Sequence, residues 1–156
     1  ASQNHAVTQL RLGVQLFLLG DNYTAATDLS LDMSNRQDIL KKHGLSETRE
    51  LKPDLVLYHA KDFGFIKASK GMDKVRVTEA PLLCVEIISP TQGNQEILNK
   101  FKVYFEMAVK SCWYVDPALE TIHIYKGSLD LKAVFYNTDL VDDTLGIKIP
   151  LSKIFF

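Results

Sequence analysis

No run of about 18 apolar residues occurs in the chain, which excludes an ordinary transmembrane helix. The start, ASQNHAVTQLRLG, lacks the basic-then-apolar layout of a secretory signal. It also lacks an initiator Met, so the chain reads as processed, tagged or truncated. Cysteine is scarce. Cys84 lies within one apolar run and Cys112 begins another, neither at metal-ligand spacing to a partner. That argues against a disulfide framework or a zinc ribbon, and both thiols are expected to be free and buried, as in a reducing cytoplasm. The histidines His5, His43, His59 and His123 are scattered and show no ligand spacing either. An excess of one charge is missing as well: 18 Lys and Arg face 19 Asp and Glu, a net charge of −1. A protein that coats nucleic acid nonspecifically would be strongly basic. An enzyme whose carboxylates gather round a cation remains open.

What is present describes one domain over residues 1–156, with a hydrophobic fraction of 46% and no repeat, linker or low-complexity segment. Val7, Leu10, Val14 and Leu18 recur at helical spacing over residues 4–19, before Gly20 and Asp21. Residues 23–33 read as a strand ending near Asp32, residues 36–42 as a short helix, and 51–58 as a buried strand. Residues 61–79 read as a loop or hairpin that gathers Lys61, Lys67, Lys70, Lys74 and Arg76. Residues 82–88 form the strongest central strand, apolar on both faces and ended by Pro90. A helix over 95–109 follows, with Ile97, Leu98, Phe101, Tyr104, Phe105 and Ala108 on one stripe. A strand over 111–115, a hairpin around Gly127 and a short strand near Ile147 complete the pattern. The order fits an α/β (α+β) domain with a mixed central sheet flanked by helices and extra C-terminal strands.

Two features carry the chemistry. LKPDLVLY contains one acid, Asp54, and LLCVEII contains one acid, Glu86. A charge inside a buried apolar run is costly unless something pairs with it. Two such acids on neighbouring strands suit Mg²⁺, a hard cation that takes oxygen ligands and keeps several waters. The plainer alternative is a structural ion pair with a lysine, or an acid at a wetted strand end.

The ordered set KPDLVLY, EAPLLCVEIISPTQ, K-x-x-x-Y at Lys100 and Tyr104, and CWYVDP resembles the Uma-type putative restriction endonucleases of the PD-(D/E)XK nuclease superfamily. The resemblance runs from about residue 4 to the C-terminal IPLSKIFF. It implies a restriction-endonuclease-like αβββαβ core, a bacterial cytoplasmic setting, Mg²⁺ or Mn²⁺ at Asp54 and Glu86, hydrolysis of DNA phosphodiesters and, by analogy, a homodimer. In the superfamily's usual motif a lysine lies two residues after the Glu, where this chain has Ile88. The resemblance implies that Lys100 takes its place. On the helical wheel, Lys100 and Lys102 flank the apolar stripe at similar angles, so geometry alone does not choose between them. The K-x-x-x-Y match favours Lys100. Ser89 and Gln92 are candidates to orient water or touch a phosphate, or else simply close the turn. Tyr104, Trp113 and Tyr114 read as packing, and Asp32 as a remote candidate ligand. Many superfamily members carry an acid on the first helix. This one has none and offers His5, Gln9 and Gln15, with His5 expected at the exposed start. Many Uma-type proteins also carry an acidic segment before this point, so an N-terminal segment is expected to be missing. The near-neutral charge, the displaced lysine and the absent helix acid favour a rival reading, a catalytically inactive binding or regulatory module on the same fold.

Overall fold

The computed structural model describes residues 1–156. Helix α1 (Gln3–Phe17) starts at Ser2, whose hydroxyl accepts the His5 amide. Its inner stripe is Thr8, Leu12 and Leu16, all buried. Strand β1 (Tyr23–Thr27) follows. The single strand expected over 23–33 is in fact two. Asp28 adopts a left-handed backbone (φ 51°), which breaks the extension before β2 (Leu31–Asp32). After the short helix α2 (Gln37–Lys42), the strand expected over 51–58 is also split, into β3 (Glu50–Leu51) and β4 (Leu55–His59). Pro53, which has no N–H for a ladder, lies in the gap. Asp54 therefore stands just before β4 rather than in mid-strand.

Residues 60–82 hold no hairpin. A single 3₁₀ turn, Ala68–Lys70, and a bridge from Val77 to Leu31 are their only regular features. Strand β5 (Leu83–Ile87), helix α3 (Asn94–Glu106) and strand β6 (Ser111–Asp116) form a parallel β-α-β unit. The helix is shorter than expected because Met107 caps it and Ala108 turns left-handed (φ 73°). Strands β7 (Thr121–Lys126) and β8 (Lys132–Tyr136) make the hairpin around Gly127. Strand β9 (Asp139–Asp142), which the sequence pattern did not suggest, pairs with β10 (Ile147–Pro150).

The main sheet has six strands in the order β1-β4-β5-β6-β7-β8, antiparallel except for β5 beside β6. Alternation sends its side chains into two cores. Leu55, Leu57, Leu83, Val85, Ile87, Trp113 and Val115 pack with Leu12 and Leu16 of α1. Val56, Tyr58, Cys84, Cys112 and Tyr114 pack with Ile97, Phe101 and Tyr104 of α3. The central strands are thus covered on both faces, as their continuous hydrophobicity required. Cys84 and Cys112 are free and buried. No helix is long and apolar enough to cross a membrane. Taken in order, α1, β1, β4, β5, α3 and β6 give the αβββαβ core.

Candidate active site

The last β4–β5 rung pairs Leu55 with Val85, and one further step sets Asp54 opposite Glu86. The last β1–β4 rung pairs Thr27 with Leu55, and one further step sets Asp28 opposite Asp54. Three acids therefore line up across three neighbouring strands at one end of the sheet. Directly opposed like charges repel, and burial raises the cost of keeping them ionised.

Glu86 lies on the α3 side and is almost fully buried. Its Oε2 accepts the Tyr104 hydroxyl at 2.7 Å, and its Oε1 lies 3.9 Å from Lys100 Nζ. Burial pushes its carboxyl up to about 7 from an ordinary 4.5; Lys100 opposes the shift and the charge of Asp54 adds to it. Tyr104 is held well above its usual range, by burial first and then by the Glu86 charge. Lys100 and Tyr104 are one helical turn apart, so both reach the same carboxylate from one face of α3.

Asp54 Oδ2 accepts the Ile87 amide at 2.6 Å, and its Oδ1 lies 3.1 Å from His5 Nε2. Its main-chain oxygen accepts Gln9 Nε2 at 2.9 Å, and the same amide group reaches Asp28 Oδ1 at 3.2 Å. Burial raises the carboxyl of Asp54 above the usual range, the Ile87 amide and His5 oppose that, and the charge of Asp28 adds to it.

Asp54, Glu86 and Lys100 are thus brought to one end of the sheet. Lys102 is half-buried on α3 and pairs with no acid. Ser89 and Gln92 close the turn after β5, where the Gln92 amide donates to the Ser89 carbonyl at 3.1 Å; neither side chain makes a hydrogen bond. Asp32 accepts the Ser34 amide at 2.8 Å and takes no part in the site. Ile88, in place of the motif lysine, is partly buried against the α3 core.

Three participants were not expected. Tyr104 was read as packing, yet its hydroxyl holds Glu86. His5 was expected to be exposed, but its side chain is only 12% exposed and faces Asp54. The signal was present, because His5 and Gln9 extend the inner stripe of Leu12 and Leu16 at the same helical spacing. Asp28 was hidden inside the strand expected over 23–33.

As to a cation, the donors are hard oxygens: Glu86 is buried and Asp54 partly buried, with Lys100 beside Glu86 and the His5 ring beside Asp54. That chemistry fits Mg²⁺ or Mn²⁺. No group of three or more His, Cys, Asp or Glu side chains converges on one point. The protein would therefore contribute Asp54 and Glu86, leaving the remaining positions to water and main-chain oxygen.

The chain has the fold of a "putative nuclease belonging to DUF820" from Anabaena variabilis ATCC 29413, with a TM-score of 0.77 at 13% identity, covering 99% of this chain and 82% of that one. No curated protein matches it. The Uma2 family, described as "Putative restriction endonuclease", matches residues 1–151, and the chain belongs to that family.

Proposed function

We propose that the protein is a metal-dependent endonuclease that hydrolyses phosphodiester bonds in DNA. The observation that carries this reading is the opposition of Asp54 and Glu86 at the end of the β4–β5 ladder, with Lys100 on Glu86. The site lies where the end of β5 leads into α3, within the parallel β5-α3-β6 unit. Mg²⁺ or Mn²⁺, when bound, supplies a Lewis acid for the scissile phosphate and lowers the pKa of a bound water. Asp54 and Glu86 would hold that ion. Glu86 must give up its proton to do so, which makes binding tighten as pH rises through about 7. Lys100, 3.9 Å from Glu86, would orient the attacking water and stabilise charge on the phosphate oxygens. The Ile87 amide fixes one oxygen of Asp54.

One observation favours a second reading. Tyr104 and Lys100 already satisfy both oxygens of Glu86, as in a structural ion pair within an inactive module. Nicking of supercoiled plasmid with Mg²⁺ or Mn²⁺, against EDTA and Asp54→Asn, separates the two. Nuclease activity requires cleavage by the wild type that both controls abolish. Equal cleavage by Asp54→Asn, or none by a folded wild type that binds no metal, contradicts it.

A further inference from the structure

We propose that His5 is a positioning residue for Asp54. From the first turn of α1, its imidazole fixes the carboxylate in the orientation that meets a divalent cation together with Glu86. The proposal rests on the reading of Asp54 as a metal ligand.

Asp54 is gripped on all sides. Its Oδ2 accepts from the Ile87 amide at 2.6 Å, and its main-chain oxygen accepts from Gln9 at 2.9 Å. Of the two carboxylate oxygens, only Oδ1 depends on a side chain, and that partner is His5 Nε2 at 3.1 Å. An ionised carboxylate only accepts hydrogen bonds, so the imidazole is the donor. His5 Nδ1 is buried and has no partner. A buried polar atom left unpaired carries a penalty. The ring is therefore poorly suited to a purely structural role, and its contribution lies in the one contact it makes. Ser2 caps the helix by accepting the His5 amide at 3.2 Å, which sets the ring at the start of α1. Gln9, one turn on, ties the same helix to the Asp54 main chain. A helix without a single acid thus governs the geometry of an acid on the sheet.

Groups that orient ligands are worth about 10–100-fold in metal affinity. His5→Ala should weaken Mn²⁺ and Mg²⁺ binding alike, by about 10-fold or more in calorimetry, with the melting temperature near that of the wild type. His5→Gln, whose amide N–H replaces the Nε2 donor, should restore affinity to within a few-fold. The Ile87 amide reports the same event without metal. Its proton resonance should move upfield in His5→Ala, as the bond to Asp54 loosens, and return in His5→Gln. An unmoved Ile87 amide, or unchanged metal affinity in His5→Ala, overturns the proposal. Loss of Mn²⁺ with Mg²⁺ retained and no rescue by Gln also overturns it, by making the imidazole a ligand. A wild type that binds neither ion overturns the metal reading itself, and the Ile87 amide then still decides whether His5 holds the carboxylate.

Discussion

Lys100 and Tyr104, one turn apart on α3, hold the two oxygens of a single buried carboxylate, Glu86. Ile88 stands where the usual motif has its lysine, and a lysine of the following helix reaches the same acid instead. Lys100→Ala should lower plasmid cleavage by about 10²-fold or more, the scale of losing one charge-stabilising group. Lys102→Ala, on the other flank of the helix, should leave it near wild type. A reversed pair of results, measured as initial nicking rates, would assign the role to Lys102.

Tyr104→Phe removes the hydroxyl from Glu86 Oε2 and leaves a buried oxygen unpaired. That costs about 1–3 kcal/mol. The hydroxyl lowers the Glu86 pKa, so its loss should raise it. Metal binding, which requires ionised Glu86, should then need a higher pH. Calorimetric titrations with Mg²⁺ across pH 6–9 should place the variant's midpoint above that of the wild type. An unchanged midpoint would mean that the hydroxyl contributes packing alone.

Glu86 also makes the metal-free protein pH-sensitive. In the unfolded chain it titrates near 4.5, and in the fold near 7. Below the first value both states hold the proton. Between the two, only the folded state does, so stability falls as pH rises, and above about 7 the loss is complete. The whole effect is on the order of 3 kcal/mol. Glu86→Gln removes this slope and the repulsion with Asp54, and should abolish metal binding. Urea denaturation at pH 8 without metal should find the variant at least as stable as the wild type. A large loss of stability with metal binding intact would identify Glu86 and Lys100 as a structural ion pair.

Asp54 and Glu86 stood out in the sequence because each interrupts an otherwise apolar run, and Lys100 because it stands four residues before Tyr104 in a K-x-x-x-Y pattern. What was not legible depends on tertiary register. The breaks at Asp28 and at Pro53–Asp54 turn two expected strands into four, and they place Asp28, Asp54 and Glu86 in one row. No local pattern states which residue faces which across a ladder between β1 and β4. The helical wheel left Lys100 and Lys102 equivalent, and it is the position of Glu86 on the α3 side of the sheet that separates them. His5 was discounted for standing near the chain start, although the inner stripe of α1 runs straight to it.

The basic stretch of residues 61–79, read from the sequence as a loop or hairpin, lies between β4 and β5. It leaves from the end of β4 and returns at the start of β5, whereas Asp54 precedes β4 and Glu86 lies near the end of β5. Two of its cations are also matched by acids, Lys74 by Glu79 at 3.6 Å and Arg76 by Glu50 at 4.0 Å. Lys52, exposed beside Pro53 and Asp54, shares a cleft with Lys100. Lys52→Ala should reduce the salt slope of DNA binding by about one unit. Joint replacement of Lys67, Lys70 and Lys74 by Ala should change it by less. Anisotropy titrations over a range of salt that give the opposite ranking would place the phosphate contacts on the loop instead.

The proposed cation shared by Asp54 and Glu86 is tested most directly by anomalous diffraction from crystals soaked in Mn²⁺. The expected result is one peak within about 2.0–2.3 Å of an oxygen of each carboxylate, with Lys100 Nζ moved away from Glu86 and no peak in Glu86→Gln crystals. Soaked crystals that show no peak there, with Lys100 and Tyr104 still holding both oxygens of Glu86, would contradict it.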